Sequence, residues 1–204
     1  MLALISLNAA AAEVGLVTAV SGNIKLQEEK ATAHELRPFV KLREGDLLML
    51  EGTSRLQMVY FEGGRQETWQ GVGALEVGNG SSMALSGSLQ TDVKTLPAIL
   101  VKQLSKTPSP DGNIKAGMVR LRSIPPYDRL ETVEKDYAEM RKLAEASDRN
   151  PELYLLASYF ELREFDRLEA LLRNLNEKTP GDPGLVALNA LYSRAITEAK
   201  SAGK

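Results

Sequence analysis

The sequence predicts an α+β protein, with an N-terminal antiparallel β domain followed by a C-terminal antiparallel helical unit. Three observations carry this. Between Leu42 and Val77, short apolar alternations are cut by Gly45-Asp46, Glu51-Gly52, Glu62-Gly63-Gly64 and Gly71, the spacing of strands joined by tight turns. From Tyr127 onward the apolar period lengthens from that of a strand to that of a helix. Between the two regimes, Thr107 to Asn113 has the Pro, Ser, Asp and Gly content of a linker.

Composition sets the outer bounds. A chain of 204 residues holds one or two small domains. The net charge of −2 gives no pull toward nucleic acid or an anionic membrane. With no cysteine, the chain has no disulfide, thiolate zinc site, cysteine nucleophile or lipidated N-terminal cysteine. Residues 1–12 form a short apolar run ending in alanines before Glu13, which reads as the second half of a secretory signal with a cleavage site at Ala10 to Ala12. The basic n-region expected ahead of it is missing, and the alternative is an apolar first strand or helix. Neither this run nor any later one reaches the roughly 20 apolar residues that span a bilayer. The expectation is an exported, periplasmic protein with no transmembrane segment.

Taken in order, Val14 to Val20 alternates as a strand, Ser21-Gly22-Asn23 is a turn, and Ile24 and Leu26 resume the pattern. Gln27 to Glu35 is a polar loop carrying the lone His34. Leu36 to Leu42 is an edge strand, because Pro38 cannot donate to a central ladder. Gly45 and Asp46 open the next strand. Leu56, Met58 and Tyr60 lie on one of its faces, with Gln57, Val59 and Phe61 on the other. Gly63 and Gly64 reverse the chain, since glycine reaches positive φ without penalty. Arg65 to Trp69 then returns beside Met58 to Phe61, with Trp69 across from Val59 or Phe61. Gly78 to Val93 reads as two further short strands.

The motifs from Val14 to Val77 resemble the FecR-type periplasmic β domain. They are Gly15-Leu16-Val17, then Val20 to Ile24, then Gly45-Asp46 opening a strand, and a strand ending in Tyr60-Phe61-Glu62-Gly63-Gly64. They are mostly turn glycines and alternations, which specify a fold better than a function. Founding members of that family are inner-membrane signal transducers with a spanning helix and a cytoplasmic anti-sigma segment, and this sequence has neither. The resemblance therefore implies a periplasmic binding or scaffold module.

Thr95 to Lys106 fits a short helix with Pro97 in its first turn and Ile99, Leu100 and Leu104 on one side. Ala116 to Ser123 alternates as a strand returning to the β domain, with Arg120 and Arg122 facing solvent or an acidic partner. Asp128 and Glu131 make a capping-box pattern ahead of a helix whose stripe is Leu130, Val133, Tyr137, Met140 and Leu143. Asn150-Pro151 is an N-cap followed by proline at the first helical position. The helix it starts is apolar nearly all round to Leu162, the mark of a buried centre. Arg163-Glu164 turns the chain into a third helix from about Asp166, and Asp182-Pro183 starts a fourth carrying Leu185, Leu188, Leu191, Tyr192 and Ile196. Leu156 to Pro180 resembles a degenerate tetratricopeptide repeat, with Ala157, Phe160, Phe165, Leu172, Leu175 and Pro180 at that family's positions. Its turn is one residue short, and Leu168 stands where a small residue is usual. A single such repeat leaves open faces, so the helices are expected to dock on the β domain through Tyr154, Tyr159 and Phe160.

The candidate chemistry is sparse. One histidine cannot build a His-based triad or a multi-histidine metal site, and in a polar loop His34 reads as a surface residue. No Gly-x-Ser-x-Gly elbow or P-loop is present, and Ser-x-x-Lys spacing occurs only at Ser201 to Lys204. Asp46 is read as making a turn hydrogen bond to backbone. Asp136 and Glu139 read as a solvated helix face. Trp69, the lone tryptophan, is a packing residue or, on the sharper reading, an exposed platform for glycan or peptide. The division expected is a signal remnant at 1–12, a FecR-like β domain at 13–93, a connector at 94–126 and a TPR-like helical region at 127–200. No catalytic, metal or cofactor-binding residue is assigned. The expected function is non-catalytic protein binding or scaffolding in the cell envelope, with glycan (peptidoglycan) binding through exposed aromatics as the alternative. The candidate partner surface is Trp69, Arg120, Arg122, Tyr154 and Tyr192.

Overall fold

In the computed structural model, residues 12–29, 31–110, 126–146 and 148–201 are described, with backbone alone for 126–128. The alternation that begins at Val14 forms one strand, β1 (Glu13–Gln27). Ser21-Gly22-Asn23 is not a turn. Gly22 sits at φ 82° where the register slips between Ser21 and Asn23, so it makes a bulge inside the strand. The single edge strand expected at 36–42 is split into β2 (His34–Glu35) and β3 (Lys41–Arg43), both antiparallel to β1. Between them Pro38 and Phe39 turn the chain, Phe39 at φ 66°, and the turn is pinned to β1 by Phe39 N–H donating to the Val17 carbonyl at 2.8 Å.

Strand β4 (Leu47–Tyr60) passes straight through Glu51-Gly52, which bulges rather than turns, and Gly71 lies within β5 (Arg65–Val77). Gly63 and Gly64 do make the reversal, at φ 71° and 66°. Met58 pairs with Glu67 and Leu56 with Trp69, so Trp69 sits further along β4 than the expected Val59 or Phe61. The two short strands expected at 78–93 are one strand, β6 (Ser82–Thr95), bulged near Ser86. The result is a six-stranded antiparallel sheet in the order β2-β1-β4-β5-β6, with β3 also on β1.

Five helices follow among the described residues: α1 (Ala98–Leu104), α2 (Pro126–Leu143), α3 (Asn150–Leu162), α4 (Phe165–Lys178) and α5 (Pro183–Ser201). None is long and apolar enough to cross a membrane. In α1, Pro97 is the N-cap rather than part of the first turn, and Val101 replaces the exposed Ile99 on the buried side. Leu143 of α2 is 89% exposed and leaves the expected stripe. Helix α3 is the buried centre, every residue from Asn150 to Tyr159 being covered. Its N-cap is Arg149, not Asn150, and the Asp148 side chain accepts the Asn150 N–H at 2.9 Å. At α5 the expected cap is present, with Asp182 Oδ1 accepting the Leu185 N–H at 3.0 Å.

The two faces of the sheet feed two cores. The inner core is held within the sheet by side chains such as Val17, Ile24, Leu48, Leu56, Met58, Tyr60 and Leu75. The outer core joins Leu16, Phe39 and Val59 to the helices, and this is where the layers dock. Of the aromatic residues expected to dock, Tyr154 and Tyr159 are buried in this same core and Phe160 packs against it, while their hydrogen-bond and ring partners lie on other helices. Tyr154 and Tyr159 donate to Asp136 and Glu134 of α2 at 3.2 and 2.9 Å, and Phe160 stacks near Phe165 and Tyr192. The strand expected at 116–123 lies outside the described residues.

Candidate functional site

A cleft of about 680 Å³ opens between the sheet and the helix ends. One wall is β1 from Thr18 to Gly22 with the Glu35–Phe39 segment, and the other is the start of α3, Leu175 of α4 and the start of α5. The Glu35–Phe39 segment is fixed because it feeds both cores. Leu36 is buried in the inner core and Phe39 in the outer one, while Leu36 N–H donates to the Ile24 carbonyl at 2.8 Å. On the helical wall, Arg149 Nη2 donates to Asp182 Oδ2 at 2.7 Å, tying the starts of α3 and α5 together with the carboxylate that caps α5. Glu152 is buried against Arg141, whose Nη1 donates to it at 3.0 and 3.2 Å. The floor is apolar, with Leu153, Leu185 and Leu188, and the rim carries Glu35, Arg37, Arg149 and Asp182. Arg37 is exposed and has no ion-pair partner among the described residues. This arrangement can hold an extended apolar segment by its side chains and orient it by charge at the rim. No group of three His, Cys, Asp or Glu residues placed to hold a metal ion occurs among the described residues.

The residues singled out in the sequence do not gather here. Trp69 is 5% exposed, and its indole N–H donates to Glu67 Oε2 at 2.8 Å, so it is a core residue and no glycan platform. Glu67, fully buried, also accepts from Arg65 Nε at 2.6 Å and from the Ser82 N–H, which satisfies the charge that burial would otherwise penalise. Tyr154 is likewise buried, its hydroxyl pushed up to about 12 by loss of solvent and then by the Asp136 carboxylate. Tyr192 is fully buried beside Phe160, and its hydroxyl is pushed up strongly by the same desolvation. Neither tyrosine offers a partner surface. Arg120 and Arg122 lie outside the described residues.

The turn residues fare differently. Gly45 is at φ 88°, and Asp46 Oδ2 accepts the Arg43 N–H at 2.7 Å, a backbone hydrogen bond that reaches back along the chain. Burial raises the Asp46 carboxyl above its ordinary range despite that bond. His34 lies exposed on β2, and Asp136, expected to be solvated, accepts from Tyr154.

Sequence reading missed Glu67 and the cleft. Glu67 had a signal, a carboxylate two residues before Trp69 and therefore on the same strand face. The cleft had none, because its walls come from segments more than a hundred residues apart. The chain matches no family model, no curated protein and no solved structure.

Proposed function

We propose that this chain is a non-catalytic protein-binding or scaffolding module of the cell envelope, exported to the periplasm, which takes an extended segment of a partner protein into the cleft between its sheet and its helices. The observation that carries this reading is the cleft itself, an apolar floor flanked by charged side chains. The resemblance of residues 14–77 to the FecR-type β domain and the signal-like run at 1–12 support the compartment. A photo-crosslinking residue at Ala187, which lines the cleft, tests the reading against one at Val186, which is exposed and does not line it. In cells, the Ala187 probe is expected to give a discrete adduct with an envelope protein that the Val186 probe does not. Equal labelling, or none at Ala187, removes the cleft as the binding surface. Fractionation of cells expressing the gene from its natural start is expected to place the protein in the periplasm.

A further inference from the structure

The two edges of the sheet are finished in different ways. At one, β1 is covered by two strands of 2 and 3 residues with Pro38 between them, which are devices that blunt an edge. At the other, β6 presents 14 residues, pairs only with β5 among the described residues, and has side chains exposed or half-buried along its whole length. Ser82 to Thr91 contains no charge and no proline, so apart from the bulge near Ser86 the usual protections against edge pairing are absent from this stretch. Apolar groups stand open beside it, with Met83 61% and Val72 52% exposed.

Beyond its bulge, β6 keeps an unbroken register with β5 from Ser86 to Thr95, with Gly87 at φ 86° beside the bulge and extended strand from Ser88 onward. Pairing with β5 puts Gly87, Leu89, Thr91 and Val93 on the face of Trp69, where Leu89 already packs against the inner core. Ser86, Ser88, Gln90, Asp92 and Lys94 occupy the other face, opposite Gln66 to Ala74.

We infer that β6 pairs antiparallel with β6 of a second copy of this chain, about a two-fold axis through Gln90, joining the two sheets edge to edge. A second copy fits because the strand is complementary to itself in this register. On the core-side face, Leu89 meets Thr91 of the second copy and Val93 meets the space left by Gly87, so the apolar row continues across the axis. On the other face, Asp92 meets Ser88, and Lys94, whose ammonium is paired with Glu145 at 3.4 Å, lies opposite Ser86, so no like charges oppose. At the axis, the two Gln90 amides can hydrogen-bond to each other. A residue-centred two-fold axis keeps matching faces on one side of the joined sheet, as the alternation of strand side chains requires. Isologous pairing of this kind closes as a dimer and leaves no free long edge.

Because the chain has no cysteine, the register can be tested directly on the full-length protein. Light scattering of the wild type is expected to give twice the chain mass of 22.3 kDa. Gln90→Cys is expected to form a disulfide dimer under mild oxidation, and Met83→Cys, displaced from the axis, is not. Gln90→Lys places two ammonium groups at the axis and is expected to weaken dimerisation about tenfold or more without lowering the monomer's melting temperature. A wild type that stays monomeric at its highest soluble concentration overturns the inference, whether residues 111–125 or a different protein covers the edge. A dimer undiminished in Gln90→Lys, or Met83→Cys crosslinking as readily as Gln90→Cys, also overturns it.

Discussion

The inner face of the sheet encloses aliphatic side chains with Tyr60 and Trp69, and the carboxylate of Glu67, whose hydrogen bonds all come from β5 and the start of β6. The outer face is built differently. Its core mixes leucines with Tyr154, Tyr159 and Tyr192, and the hydroxyls of the first two are held by acids on α2. The inner core is therefore sealed within one element type, while the outer core depends on partners drawn from another layer. A sheet with one self-contained face can carry a helical layer too small to stabilise itself alone.

Two neighbouring residues of β4 put this contrast to its hardest test, since Met58 points into the inner core and Val59 into the outer one. Met58→Ala is expected to cost about 2–5 kcal/mol and Val59→Ala on the order of 2 kcal/mol, from lost burial plus the cavity left behind. Each is expected to lower a single denaturation midpoint at which strand and helix signals vanish together. Helical signal persisting after the sheet of Met58→Ala has melted would show that the two cores are independent.

A smaller effect probes the seam. Asn150 Nδ2 donates to Gln66 Oε1 at 2.6 Å, a buried bond from the first residue of α3 to the outer face of β5. Removing either partner leaves the other buried and unpaired, so Asn150→Ala or Gln66→Ala is expected to cost about 1–3 kcal/mol. The double substitution is expected to cost less than the sum of the two. Strict additivity in a denaturant titration would show that the bond does not couple the layers.

The strand period and helix starts were legible because they are local. Gly63 and Gly64 are in the left-handed region, and Pro151 and Asp182-Pro183 open helices as their sequence implies. The glycines at 22, 52 and 71 were misjudged because a positive φ serves a bulge as well as a turn, and only the strand alongside decides between them. Trp69 and Tyr192 show the same limit at the candidate site. Whether an aromatic faces a partner or a core depends on what lies over it, here the Glu67 carboxylate for one and Phe160 for the other. The cleft and the bare edge of β6 exist only once distant segments are placed.

The gentlest test of the two faces is alkaline titration. Burial, followed by the nearby Asp136 and Glu134, pushes Tyr154 and Tyr159 up to about 12 from the ordinary 10.0. A group whose folded value is raised contributes stability that is whole below the unfolded value and is lost as pH rises through the folded one. Stability is therefore expected to fall between pH 10 and 12, with tyrosinate absorbance growing as structure is lost. Tyr154→Phe/Tyr159→Phe should flatten that fall. Tyr60 of the inner core, also pushed up to about 12 by burial, and Tyr192, pushed up strongly by burial, should keep a residual slope in the double variant. An unchanged slope would mean that the outer tyrosines do not set the alkaline limit.

The first strand contributes to both cores at once, Leu16 to the outer and Val17 to the inner, while pairing with β4 from the far side of the β2–β3 excursion. Neither hydrophobic layer can close before this N-terminal segment arrives. The β4-β5-β6 meander can assemble from near neighbours, whereas β1 must accept a longer loop closure before any contact rewards it. Once seated, it cannot leave without opening both layers. Its amide protons should accordingly exchange with solvent only through whole-molecule unfolding, which makes the earliest part of the chain the one that locks the rest.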